Sequence, residues 1–90
     1  MTIPQHTVIQ YVRNKKGIPY GVLVGVKREG GGFNLGYSLC KKGDKFSKEM
    51  ALKIAIGRAV EDSWPAPHLV PRDVRKMVGD FLKRCNKYYK

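Results

Sequence analysis

The sequence predicts one small α+β domain spanning residues 1–90, with a three-stranded antiparallel meander followed by two helices, in the order β-β-β-α-α. Three observations predict it. Apolar residues alternate with a period of two in segments 18–27 and 33–40, as they do in strands. From Arg72 onward they recur at intervals of three and four, as in an amphipathic helix. Ninety residues leave no room for a second domain of usual size. We expect both helices to pack on one face of the sheet.

Three strands are expected in the first half of the chain. Thr7–Arg13 is rich in β-branched and aromatic residues, and the Asn-Lys-Lys-Gly sequence at 14–17 predicts a turn after it. Segment 18–27 is the second strand, and the glycines of 29–32 form a flexible connection to the third strand, 33–40.

Two helices are expected in the second half. Ser47 is a suitable N-cap and Glu49 suits the first turn, so the first helix is predicted over 47–62 and should be largely buried. Three prolines in 64–71 predict an extended crossing, and the second helix starts near Arg72.

Small residues interrupt the strands and permit two interpretations. They are Gly21, Gly25, Gly36 and Ser38. They could form a thin face that is exposed or closely approached by a helix backbone, or a face open to a flat or extended ligand. We favour the first interpretation.

The charge of the chain points to a polyanionic partner. There are 18 Lys and Arg against 7 Asp and Glu, for a formal net charge of +11. The excess is spread over both halves, so it is not confined to a tail. Nucleic acid, DNA or RNA, is the commonest partner of such a chain, although an acidic protein or an anionic membrane would also be attracted. The chain has no membrane-spanning run and no signal peptide, so we expect a soluble cytoplasmic protein without a membrane partner.

Catalytic and metal-binding motifs are absent from the sequence. It contains no HExxH, Walker loop or GxSxG and no close pair of carboxylates. We therefore expect that the protein is not an enzyme and that it binds no cofactor. His6 and His68 could form an acid–base pair only if two loop segments converged. Cys40, Cys85, His6 and His68 could bind zinc by ligand count alone, but none is paired at metal-ligand spacing.

The strongest candidate contacts are lysines around the start of the first helix. Free backbone N–H groups and the helix dipole favour an anion there, so nearby lysines suit phosphate binding. The alternative is that they are solvated loop residues. This primary set is Lys41, Lys42, Lys45 and Lys48. A second set lies on the polar face of the last helix: Arg72, Arg75, Lys76, Lys83 and Lys87.

Residues 18–61 resemble the later part of double-stranded-RNA-binding domains. The resemblance rests on three strands, the segment 43–49 and the alanines Ala51, Ala55 and Ala59 of the following helix. In that family, clustered lysines at the start of the last helix grip phosphates across a groove. The resemblance therefore implies that role for Lys45 and Lys48, and also for Lys41 and Lys42. The chain departs from the family in lacking the N-terminal helix and in adding a C-terminal one.

Segments 36–40, 44–48 and 54–59 are also similar to small uncharacterised proteins of tailed phages. This similarity implies a host-cell context and a second functional hypothesis. The chain could be a phage-encoded factor that docks on an acidic host protein, in the host cytoplasm, and modulates it. Trp64, Tyr88 and Tyr89 are the candidate hot spots of such an interface. A homodimer through an unpaired edge strand is a further possible assembly.

Overall fold

A computed structural model describes residues 7–28, 30–40 and 45–89. The strands are β1 (Thr7–Arg13), β2 (Pro19–Lys27) and β3 (Phe33–Leu39). The helices are α1 (Lys48–Val60) and α2 (Arg72–Tyr88). The predicted α+β class and the β-β-β-α-α order are confirmed. Within the described residues, neither helix is long and apolar enough to cross a membrane.

The three strands form one antiparallel sheet in the order β1-β2-β3. The register runs from Thr7 opposite Val26 to Val12 opposite Gly21, and then shifts so that Arg13 lies opposite Pro19. This irregularity leaves Tyr20 as an extra residue in β2. Its side chain packs toward α2, and its hydroxyl donates a hydrogen bond to the Asp73 carboxylate. A bulge thus redirects an aromatic ring that simple alternation would place on the other face.

Both ends of α1 have defined caps. Ser47 has extended backbone angles, and its hydroxyl oxygen accepts a hydrogen bond from the Met50 N–H at 3.3 Å, as expected of an N-cap. At the other end Asp62 is left-handed, with φ 53°. The Asp62 and Ser63 N–H groups donate to the carbonyls of Ala59 and Arg58, which is the Schellman pattern of helix termination.

The connection between the helices differs from the extended crossing predicted from its prolines. It contains a short 3-10 helix at Pro67–Leu69, in which the Leu69 N–H donates to the Ala66 carbonyl. Pro71 then precedes α2, as predicted.

The two helices pack on opposite faces of the sheet, which corrects the expectation of a common face. Alternate residues of β2 point in opposite directions, and each direction leads to a different helix. The first core joins β2 to α1: Val22, Val24, Val26, Ala51, Leu52, Ala55, Ile56 and Ala59. The second core joins β1 and β2 to α2 and the segment before it: Val8, Val12, Leu23, Val70, Val74, Phe81 and Cys85. The sheet is therefore the middle layer of three.

The small residues of the strands make room for these helices. A Cβ on Gly36 would collide with backbone atoms of Ala55 and Ala59, so α1 lies directly on β3. A Cβ on Gly25 would lie 2.7 Å from Cys85 Sγ on the other face. Close helix packing therefore accounts for both glycines, and these positions are not open to a flat ligand.

Only one side of α1 is covered, so the helix is less buried than its composition suggests. Its outer face exposes Met50 (57%) and Ile54 (40%) in addition to polar residues such as Lys53. Nothing lies within 4 Å of the position a Cβ would take on Gly57. Met50 and Ile54, four positions apart, therefore form an apolar strip that faces solvent.

An arginine covers part of each edge of the sheet. Arg58 of α1 donates to the Tyr37 carbonyl of β3 at 2.9 Å. Arg84 of α2 donates to the Ile9 carbonyl of β1 at 3.2 Å. At these positions a second copy of the chain would have to displace an arginine before it could pair with the edge strand.

Candidate nucleic-acid interface

Tyr11 brings together two cations from distant parts of the chain. Its half-buried ring packs against the first core, between β1 and the start of α1. The Arg13 guanidinium carbon lies 5.9 Å from the ring centroid and the Lys48 Nζ lies 5.3 Å from it. Both distances fall within the range of cation–π contacts. We call Tyr11, Arg13 and Lys48, with the neighbouring Lys45, the Tyr11 cluster.

The start of α1 completes this cluster. Phe46 is half-buried against the first core, which fixes the chain between Lys45 and Lys48, and both lysine side chains are exposed. First-turn N–H groups of a helix have no intrahelical partner and carry partial positive charge, so they add to the attraction for an anion. The Arg13 guanidinium also donates to the Gly17 carbonyl at 2.9 Å, which holds it at this end of the sheet.

Lys45 and Lys48 of the primary set are thus placed at one site, whereas Lys41 and Lys42 lie outside the described residues. Tyr11 and Arg13 were not among the residues predicted from the sequence for this site. The available signal was an aromatic residue and an arginine two positions apart on a strand. Their meeting with Lys48 depends on how α1 packs.

The second set of cations lies on the other side of the molecule. Arg72, Arg75, Lys76, Lys83 and Lys87 are all exposed on α2, which covers the opposite sheet face. Lys76, Lys83 and Lys87 are spaced by seven and four, so they form one stripe along the helix. Lys45 and Lys48 therefore lie on a different surface from the second set.

A cavity of about 260 Å³ lies between β1 and α2, beside this stripe. Gln10, Lys76, Met77, Asp80 and Phe81 line it. Arg84 donates to the Gln10 Oε1 at 3.0 Å and so holds the amide in place. Apart from Lys76, none of these residues was a candidate in the sequence, because the cavity depends on β1 and α2 meeting across 66 or more residues.

The three aromatic candidates for a protein interface have different environments. Trp64 is half-buried, edge-on to Tyr37 with ring centroids 5.4 Å apart. Tyr89 stacks on Phe33, and its hydroxyl donates to the Gly25 carbonyl at 2.6 Å. Tyr88 is 56% exposed. Tyr88 is therefore the one of the three that presents most of its side chain to solvent.

Three groups near α2 have shifted pKa values, and at Tyr89 burial raises the pKa of the hydroxyl. Burial raises the pKa of the Cys85 thiol to about 11, against a smaller opposing effect of Arg84. Burial, and then the hydrogen bond to Asp73, raises the pKa of the Tyr20 hydroxyl to about 12. All three groups are neutral near pH 7. Across residues 7–28, 30–40 and 45–89, no three His, Cys, Asp or Glu side chains are grouped to hold a metal ion; His6 lies outside these ranges.

Comparisons with protein-family models, with curated proteins and with solved structures found no match. The resemblances to double-stranded-RNA-binding domains and to tailed-phage proteins therefore stay predictions.

Proposed function

We propose that the chain is a small non-enzymatic protein that binds nucleic acid through its phosphates, with the Tyr11 cluster as the primary contact. The observation that carries this proposal is the position of Arg13 and Lys48 on one aromatic ring, although 35 residues separate them in the chain. Such an arrangement holds two cations close together beside a helix N-terminus.

The electrostatics of the described residues support the same proposal. Like charges repel, so gathering cations costs stability unless an anion binds between them. Arg13 and Arg58 donate hydrogen bonds to the backbone carbonyls of Gly17 and Tyr37, and a carbonyl carries no formal charge that would neutralise a guanidinium. Phosphate contacts of this kind give affinity with little sequence preference.

The test is the salt dependence of binding, measured by fluorescence anisotropy with labelled single- and double-stranded DNA and RNA. Each phosphate contact contributes roughly 0.7 to 0.9 to the slope of log K against log salt. A variant with glutamine at Arg13, Lys45 and Lys48 should therefore lower the slope by about 2 to 3.

A control variant with glutamine at Lys27, Arg28 and Lys53 loses the same charge. Lys27 and Arg28 lie at the opposite end of the sheet from Arg13, and Lys53 is exposed on α1. The control should keep most of the slope. Equal loss in both variants would mean that the net charge alone attracts the polymer, and would refute the assignment of the Tyr11 cluster.

A second candidate function is docking on an acidic protein, and the outer face of α1 favours it. Met50 and Ile54 form an exposed apolar strip beside Lys53, which suits an acidic partner with an apolar centre. Replacing Met50 and Ile54 with serine should abolish capture of such a partner from nuclease-treated lysate. The same change should leave nucleic-acid binding unaltered.

A further inference from the structure

The cavity between β1 and α2 has the chemistry of a site for one planar heterocycle. Phe81 is buried at 3% exposure and, with the half-buried Met77, supplies apolar contact. The Gln10 amide offers N–H donors, and the Asp80 carboxylate accepts hydrogen bonds. Every nucleobase carries both donors and acceptors on its pairing edge, so this combination can satisfy an unpaired base.

The size and charge of the cavity agree with this ligand. Its volume of about 260 Å³ lies just below the roughly 300–1,000 Å³ of pockets for drug-sized molecules, which suits a single ring system. Lys76 lies at the wall, and Lys83 and Lys87 continue along α2 from it. A base in the cavity would therefore have cations beside its own phosphate and along the following backbone.

The cavity and the Tyr11 cluster lie on opposite faces of the sheet at the same edge strand. Gln10 and Tyr11 are neighbours on β1, an edge strand, and their side chains lie on opposite faces of the sheet. A polymer that contacts both must pass around this edge from one face of the sheet to the other. A duplex is too stiff for that, with a persistence length of about 150 base pairs, and its bases are paired. A single strand can turn and can expose a base.

We infer that the chain binds single-stranded nucleic acid around the β1 edge, with phosphates at the Tyr11 cluster and one unpaired base in the Gln10–Asp80 cavity. This inference rests on the proposed function and names the form of the polymer. DNA and RNA share the base and phosphate chemistry involved, so both are used in the test.

The experiment uses the full chain and labelled strands of about 12 nucleotides, as DNA and as RNA, the matching DNA and RNA duplexes, and a DNA strand in which every base is missing. Binding is measured by anisotropy at about 150 mM salt. We expect the single strands to bind at least about 10-fold more tightly than either duplex and than the baseless strand.

Two variants test the cavity itself. Gln10→Met keeps the size of the side chain and removes the amide, so it should weaken binding of the base-containing strand about 5- to 10-fold and leave the baseless strand unchanged. Lys76→Gln should weaken binding more than Lys53→Gln, which removes the same charge from the outer face of α1. Both lysines are exposed, so neither change threatens the fold.

The outcomes separate the inference from the function on which it rests. Equal affinity for single strands and duplexes, or Gln10→Met binding like the wild type, would overturn the inference and leave the proposed function standing. Absence of binding to every polymer would overturn both. Tight binding of single strands that depends on Gln10 would support both, and the preferred strand would show whether DNA or RNA is the ligand.

Discussion

Replacing Gly36 with alanine tests the packing of α1 on the sheet. Gly36 lies in the middle of β3 opposite Val24, and an added Cβ would collide with the Ala55 carbonyl oxygen and lie 2.7 Å from the Ala59 nitrogen. Both atoms belong to the helix backbone, so no side-chain rotation relieves the overlap. Ordinary contact begins at 3.4 Å, so α1 must move away from β3 or the strand must bend.

The cost follows from that displacement. A gap of about 0.5–1 Å forfeits roughly a quarter to a half of the dispersion energy between packed atoms, and it would affect the whole buried side of α1. We therefore expect the free energy of unfolding to fall by about 3 kcal/mol, which is at the upper end of the usual range for overpacking. For a domain of this size, that loss lowers the Tm by roughly 12–24 °C.

The matched control is Gly57→Ala, the same chemical change on the outer side of α1. Nothing lies within 4 Å of the added Cβ, and alanine favours the helix over glycine by about 1 kcal/mol, so the Tm should rise by roughly 4–8 °C. Thermal unfolding followed by circular dichroism measures both variants. A Gly36→Ala protein that melts within about 2 °C of the wild type would refute the described contact between α1 and β3.

Three further predictions concern the termination of α1, the hydroxyl of Tyr20 and the thiol of Cys85. Asp62→Gly should stabilise the fold by about 0.5 kcal/mol in urea unfolding, because glycine relieves the left-handed strain but loses more backbone entropy; a destabilised variant would contradict the described cap. Tyr20→Phe should cost about 1 kcal/mol in the same assay, since it removes the bond to Asp73, and an unchanged midpoint would argue against that bond. The pKa of Cys85 is raised from 9.0 unfolded to about 11 folded, so its contribution to stability is complete below pH 9 and is lost as the pH rises toward 11. The free energy of unfolding should therefore fall less between about pH 8 and about pH 10.5 in Cys85→Ala than in the wild type, and an equal fall would show that this thiol is not the group responsible.

The order of the elements could be predicted from the sequence because each depends on local patterns. The predicted starts and ends of the strands and of α1 fall within two residues of those in the structure. The faces on which the helices pack could not be predicted. The face of β2 that carries Leu23 otherwise has only glycines, Pro19 and Lys27 in the sequence pattern. That composition is typical of a surface that no helix covers. Gly25 is small because Cys85 and Phe81 of α2 occupy the space beside it.

The candidate sites were likewise predictable where they depend on local patterns and not where they depend on how the helices pack. The lysines at the start of α1 could be identified because the N-cap of that helix is a local signal. Their meeting with Tyr11 and Arg13 depends on the angle between β1 and α1, which no local pattern encodes. The Gln10–Asp80 cavity joins residues 70 positions apart and needs α2 on its own face of the sheet. Placing both helices on one face would have removed it.

The position of the sheet between two separate cores has a consequence for partial unfolding. α1 lies against the β3 backbone at Gly36, whereas α2 contacts the sheet through long side chains such as Phe81. Each core can be lost without breaking the strand pairing that supports the other. We therefore expect native-state hydrogen exchange to reveal two cooperative units, in which the amides of α2 exchange through an opening that leaves α1 and β2–β3 protected.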